Sequence, residues 1–314
     1  MSKNATRKRI RKTELIIKIE YWIGRTFVTL LHYVPLPVAF YAGHFIGWCA
    51  SLLPTKRRTI IANNLAVIDD YLAEKSPDSN LKQQVNQVFL RTGANIACSF
   101  RFARMPTNQI KKYIEVDGLD HLKTALSLKK GVLILLAHMG PWEVLPYLSE
   151  FLDEDIRSGA MYRPMNNDYF DNWFKSIREQ RGTRLFSRRD GFHKPVDFLR
   201  NGGVLGVLAD QKMRQGIIAP FFGKNVPTNP LPGLFQRRSG ATAIGLSIKT
   251  SAPLKWTIKM FPVNYPSEKE NRTREIEAKI SNQAIERILL ESPLDGFWFS
   301  ERFYVKNESR NTHT

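Results

Sequence analysis

The spacing of apolar positions changes twice along the chain. Residues 26–53 form a run, TFVTLLHYVPLPVAFYAGHFIGWCASLL, that contains no Lys, Arg, Asp or Glu. From 59 to 110 apolar residues recur at three- and four-residue steps, as in IIANNLAVIDDYLAEK and NLKQQVNQVFLRTGANIACSF. That spacing predicts two helices separated at Pro77-Asp78. Beyond Pro106 short apolar runs alternate with helical patterns. Strands are predicted at 114–116, 132–136, 158–162, 183–186, 204–208, 241–248 and 255–261. Helices are predicted at 119–128, 142–151, 169–181, 194–200 and 273–291. Strand–helix alternation predicts an α/β fold with a mixed, largely parallel central sheet flanked by helices.

The charge-free run is long enough to cross a bilayer. Basic residues flank it: Arg7, Lys8, Arg9, Arg11 and Lys12 are among those before, and Lys56, Arg57 and Arg58 follow. Pro35 and Pro37 interrupt it, and His32 and His44 are polar. Two readings stand. One is a membrane anchor, either a tilted span or two half-buried interfacial helices. The other is a buried hairpin of two core helices. The larger basic excess lies before the run, so a span would start in the cytoplasm. The long basic leader lacks a small-residue cleavage pattern, unlike a secretory signal. The expected organisation is a basic leader at 1–25, a membrane-associated helical anchor at 26–54 and one α/β domain at 55–314.

Composition adds a partner class. The 314 residues are 43% hydrophobic and 24% charged, ordinary globular usage that argues against wholesale disorder. Lys and Arg number 47 against 29 Asp and Glu, a formal charge of +18. Such a surplus suits an anionic partner: a membrane surface, a phosphorylated substrate, an acidic protein or nucleic acid. No finger, helix-turn-helix or RNP-like segment supports nucleic acid. Cys49 and Cys98 are the only cysteines, too few for a disulfide framework or a zinc site, and no metal is expected.

The candidate chemistry lies in GVLILLAHMGPWEVLPYL, residues 131–148. Residues 132–137 are continuously apolar, as in a strand buried on both faces, and His138 stands where that strand ends. Pro141 suits the first turn of a helix that also holds Glu143. Because the histidine precedes the helix, the bend can bring imidazole and carboxylate together. A neutral imidazole then takes a proton from an attacking hydroxyl, and the acid fixes its tautomer. Free N–H groups at the helix start would stabilise an oxyanion. The competing reading is a strand-end histidine hydrogen-bonded for packing.

His138-Met-Gly-Pro-Trp-Glu143 resembles the His-x4-Asp/Glu motif of the glycerolipid acyltransferase superfamily and, more narrowly, of the lipid A biosynthesis acyltransferases (the late lauroyl/myristoyl transferases). Three further segments match that family in order: Tyr162-Arg163-Pro164, the stretch from Asn201-Gly202-Gly203 to Ala209-Asp210-Gln211, and Pro220-Phe221-Phe222-Gly223. The resemblance covers roughly residues 25 to 305. One segment departs: where the family has Pro-Glu-Gln-Trp, this chain has Pro293-Leu-Asp-Gly, its acid missing or moved to Asp295.

The resemblance implies a membrane-associated O-acyltransferase on the cytoplasmic side of a bacterial inner membrane. A hydroxyl of a membrane glycolipid, a lipid A precursor foremost, would attack an acyl-thioester of acyl carrier protein or CoA. No cofactor is implied beyond that co-substrate. His138 would be the base and Glu143 its orienter. Arg163 would bind an anionic group or the donor carbonyl, and Asp210 would orient Arg163 or substrate, with Gln211 beside it. Arg188 and Arg189 belong to a basic run with Arg178, Arg181, Arg184 and Lys194 that would dock a phosphorylated headgroup or an acidic carrier protein; a solvated face is the competing reading. For Arg163 the competing reading is a surface arginine, and for Asp210 a loop-capping turn. Gly223, Pro227, Pro230, Pro232 and Gly233 mark a loop, either a lid or groove wall or only a connector. Phe297, Trp298, Phe299, Phe303 and Tyr304 would line an apolar groove or form core. The alternatives are a phospholipid or aminolipid acceptor, or a non-catalytic basic protein binding membrane or nucleic acid.

Overall fold

A computed structural model of the chain describes residues 14–72, 80–148, 156–179, 182–266 and 272–303. Pro77-Asp78, Arg181, Tyr304, the first part of the basic leader and residues 149–151 of the predicted 142–151 helix lie outside the described residues.

Four helices come first: α1 (Glu14–Tyr33), α2 (Leu36–Leu52), α3 (Lys56–Leu72) and α4 (Leu81–Phe102). A one-turn helix α5 (Thr107–Ile110) leads into β1 (Ile114–Asp117), α6 (Leu119–Ser127) and β2 (Val132–Leu136). Then follow β3 (Ser158–Tyr162), α7 (Asp168–Glu179), β4 (Arg184–Ser187), α8 (His193–Arg200) and β5 (Val204–Leu208). A hairpin of β6 (Ile217–Phe221) and β7 (Lys224–Thr228), then α9 (Leu231–Ser239), precede β8 (Thr242–Ala252), β9 (Lys255–Val263) and α10 (Arg274–Leu290). Asn80 caps α4 by accepting from the Gln83 N–H, and Thr273 caps α10 by accepting from Ile276.

The main sheet has seven strands in the order β1-β9-β8-β2-β5-β3-β4. β8, β2, β5, β3 and β4 run parallel to one another, while β9 pairs antiparallel with β8 and carries β1 parallel to itself. The fold is therefore α/β with a mixed, largely parallel sheet. The two-residue period of the strands sorts the core into two layers. Leu133, Leu135, Leu205 and Val207 join α3, α10 and the hairpin on one face. Ile134, Leu136 and Val204 join α4 and α6 on the other.

Two predicted elements differ. Residues 223–233, read from sequence as a loop, form one strand of the hairpin and the start of α9. Phe222 (φ 46°) and Gly223 (φ 70°) both turn left-handed, the conformation a tight two-residue hairpin needs. Pro227 sits on a strand paired on one side only, and Pro232 in the first turn of α9, places where a missing N–H is tolerated. The segment after His138 is a 3-10 helix, Trp142–Tyr147, and not the start of an α-helix.

The apolar N-terminus is two helices broken at Pro35, and α1 begins at Glu14, so it runs across the expected boundary at residues 25 and 26. An ion pair between Glu14 and Lys18 one turn apart (2.7 Å) supports its first turns. No single helix among the described residues is long and apolar enough to cross a membrane, although α2 and α3 together pass that test with a 99° bend between them. α2 packs on α4 through glycines: a Cβ on Gly43 or Gly93 would strike the other's backbone, and one on Gly47 would strike Phe89. α1 packs on α7, with Gly24 against the Phe170 ring and Asn167 donating to the Ile17 carbonyl. The opposite faces are bare: Trp22, Ile23, Phe27 and Leu30 on α1, and Tyr41, Phe45, Ile46 and Trp48 on α2, are exposed.

Candidate active site

β2 and β5 lie side by side in register, Val132 opposite Val204 through to Leu136 opposite Leu208. The pairing extends one step, with the Ala209 N–H donating to the Leu136 carbonyl (3.0 Å). His138 and Asp210 each stand two residues past the matched leucines, so parallel strands of equal length deliver them together. His138 Nδ1 lies 2.7 Å from Asp210 Oδ1. Asp210 in turn accepts from Gln211 Nε2 on its other oxygen (2.7 Å), and Gln211 Oε1 accepts from the Ser300 hydroxyl (2.9 Å).

The electrostatics select one tautomer. Burial alone would lower the His138 pKa from 6.5, but the charge and hydrogen bond of Asp210 outweigh it and raise the value. Burial likewise pushes Asp210 up from 3.8, and His138 and Gln211 more than reverse that, holding it below its ordinary value. An ionised carboxylate only accepts, so the proton sits on Nδ1, and Nε2 keeps the lone pair for a substrate hydroxyl.

Glu143 has a different partner from the one its spacing suggested. Its carboxylate receives Arg178 Nε (3.0 Å) and Nη2 in a forked pair, and Trp142 Nε1 (3.2 Å). It contributes to His138 only through space, as a further charge that raises the imidazole pKa. The difference has a simple cause: the chain turns after His138 and enters a 3-10 helix only at Trp142, while the end of β5 brings a carboxylate directly beside the ring. The carboxylate that meets the His138 ring is that of Asp210, a residue expected to orient Arg163 or substrate. Two N–H groups of the turn are occupied within the protein, Met139 donating to the Ala137 carbonyl and Gly140 to that of Asp295.

His138 and Glu143 line one cavity of about 710 Å3. It runs over the α4/α6 side of the sheet, with Leu136 and Leu208 toward one end, the register partners Ile134 and Gly206 between, and Val204 and Ser158 toward the other. Phe100 of α4 and Phe174 of α7 form part of its wall and pack edge to face, 5.6 Å between centroids. Its volume is that of an ordinary small-ligand site, and its lining is mostly apolar.

Arg163 and Arg188 also line it, with Gln211. Among the described residues no carboxylate pairs with either arginine. Arg188 is solvent-exposed yet held below its ordinary pKa, first by partial desolvation and then by the like charge of Arg163. Arg189 is exposed and does not line the cavity; its N–H donates to Ser187. Arg178 is not part of a solvated basic face, because Glu143 holds it inside. The C-terminal aromatics are core more than groove: Trp298 is buried and donates to the Pro293 carbonyl, Phe299 packs on Phe89, and Phe303 on Phe221. Of the described aromatics in this segment Phe297 approaches the site, its ring centroid 6.4 Å from that of His138. Among the described residues no three His, Cys, Asp or Glu side chains gather into a metal-binding cluster.

A family model for the bacterial lipid A biosynthesis acyltransferases matches residues 8–304. The chain belongs to that family. It is 25% identical over 292 residues to the lipid A biosynthesis palmitoleoyltransferase of Escherichia coli K12, covering 91% of each protein. It is 21% identical over 291 residues to the lipid A biosynthesis lauroyltransferase of the same organism, covering 91% of this chain and 92% of that one. A lipid A biosynthesis acyltransferase of Haemophilus influenzae Rd is 21% identical over 317 residues, with 92% of each covered. The family makes this chain an acyltransferase of lipid A biosynthesis.

Proposed function

We propose that the protein moves a fatty acyl chain from an acyl-thioester, on acyl carrier protein or CoA, to a hydroxyl of a lipid A precursor, with His138 as general base. The observation that carries this reading is the His138–Asp210 pair, 2.7 Å apart, with His138 on the wall of a largely apolar cavity. The acceptor oxygen attacks the thioester carbonyl carbon while its proton passes to His138 Nε2. Asp210 stabilises the imidazolium that forms. The tetrahedral oxyanion then collapses, the C–S bond breaks, and the thiolate leaves with the proton from His138. The acyl chain lies in the cavity. Arg163 and Arg188, neither paired with a carboxylate among the described residues, bind a phosphate of the acceptor or the charged carrier of the donor.

The bare apolar faces of α1 and α2 support seating in the interface of a membrane. Lipid A precursors are membrane glycolipids, so the reading puts the enzyme on the inner membrane with its cavity open on the cytoplasmic side. The test is mass spectrometry of a lipid A precursor incubated with purified enzyme and acyl carrier protein or CoA thioesters. One added acyl mass is expected with the parent and none with His138→Ala. Full transfer by a folded His138→Ala protein removes His138 as the base.

A further inference from the structure

The segment that departs from the family pattern, Pro293-Leu-Asp-Gly, closes against the turn that carries His138. The Phe297 N–H donates to the His138 carbonyl (2.8 Å), the Gly140 N–H to the Asp295 carbonyl (3.3 Å), and Met139 pairs with Gly296 as an antiparallel bridge. On its other side the turn abuts β8: Gly140 has φ 56°, and a Cβ there would strike the Ile248 carbonyl. The position of His138 thus depends on how firmly 295–297 is held.

Its hold is the Asp295 side chain, 3% exposed. Oδ2 accepts from the Thr250 N–H (2.8 Å) and Arg91 Nη1 (3.3 Å). Oδ1 accepts from the Thr250 hydroxyl (2.7 Å) and Asn95 Nδ2 (3.2 Å). Asn95 is itself fixed, because its Oδ1 accepts from Trp256 Nε1 (2.8 Å) and so turns its amino group toward Asp295. Every partner is a donor, which suits a carboxylate and opposes an amide. The carboxylate ties the C-terminal segment to α4 and β8 at once.

We infer that Asp295 is a positioning residue for the acyl transfer: by bolting 295–297 to α4 and β8 it sets the backbone of His138, and with it the meeting of His138 and Asp210. The inference rests on His138 being the base. A burial-only role would affect folding; this one affects the imidazole itself. A loosened turn separates His138 from Asp210 and removes the partner that raises its pKa.

The test compares parent, Asp295→Asn and the milder Thr250→Val, with kcat, KM and the pH profile of kcat measured below each variant's unfolding temperature. Asp295→Asn is expected to lower kcat on the order of 10²-fold, as small misplacements of a reacting group do, with KM little changed. The acid limb of its profile moves toward lower pH, and Thr250→Val moves it the same way by less. An unchanged limb overturns the inference, whether kcat is kept or falls through lost folding alone. His138→Ala separates the two failures. If it keeps turnover, the base assignment is wrong; if it is inactive while Asp295→Asn matches the parent, only the positioning role is wrong.

Discussion

Leu136 of β2 and Leu208 of β5 are register partners on parallel strands, and the residues two steps past each, His138 and Asp210, meet at 2.7 Å. In the proposed mechanism the imidazole must be neutral for Nε2 to take a proton, and Asp210 raises its pKa from the ordinary 6.5. Activity therefore climbs with pH through a limb above 6.5, as protons leave His138. Asp210→Asn removes the charge that raises the pKa, while burial, which lowers it, remains. The limb is expected to move toward lower pH. Turnover falls at all pH values, by about 10²–10⁴-fold, because an amide no longer fixes the tautomer or stabilises the imidazolium. A kcat profile of the two proteins reads both effects, and a limb that stays in place contradicts the assignment.

The same pair links stability to pH. The raised His138 value gives stabilisation that is complete below 6.5 and fades as pH rises through the folded value. The lowered Asp210 value gives stabilisation that is complete above 3.8 and is lost as pH falls through its folded value. The fold is therefore most helped by this pair in the mildly acidic range, below the pH at which His138 would work best as the proposed base.

Glu143 carries the residue spacing of the family motif but acts through Arg178. The two side chains are largely buried, and their forked pair joins the 3-10 turn after His138 to α7, a helix with no fully buried residue. Removing one partner leaves a desolvated charge, which costs about 1–3 kcal/mol. Arg178→Ala and Glu143→Gln are each expected to lower the melting temperature by a few degrees. Their double variant should lose less than the sum, since the second change removes a charge the first left unpaired. Additive losses would show that the pair does not hold α7.

The strands of the site were legible because β2, β3 and β5 are apolar runs bounded by turn signals, and the structure reproduces 132–136, 158–162 and 204–208 residue for residue. His138 was legible as a polar residue ending such a run. Asp210 was legible as a site residue but not as the partner of His138, because sequence spacing reports local neighbours and it is 72 positions away. A signal existed all the same: VLILLAH at 132–138 and VLGVLAD at 204–210 are near copies, ending in His and Asp at the same step. Two like runs in parallel register put their last residues together. Arg178 and Ser300 gave no such signal, since α7 and the C-terminal segment reach the site through tertiary packing alone. The N-terminal hydropathy showed that α1 and α2 are apolar; it did not show that a glycine contact with α4 buries one face of α2 and leaves the other bare.

That bare face is the last testable element. Trp22, Ile23, Phe27 and Leu30 on α1 and Phe45, Ile46 and Trp48 on α2 project away from the core, whereas Gly43, Gly47 and Gly93 keep α2 against α4. Charged substitutions at the exposed positions leave the packed face intact, so the fold is expected to survive them. Full burial of one such side chain in an apolar phase is worth about 1.5–3 kcal/mol. Phe27→Glu and Phe45→Glu are each expected to weaken binding to vesicles of anionic phospholipid by roughly 10-fold or more, a loss that salt does not reproduce in full. Turnover on a micellar, detergent-solubilised acceptor should change little, because neither residue lines the cavity. Vesicle sedimentation beside a micellar assay checks both. If binding is unchanged in the two variants and in the double variant, α1 and α2 do not form the membrane-facing surface.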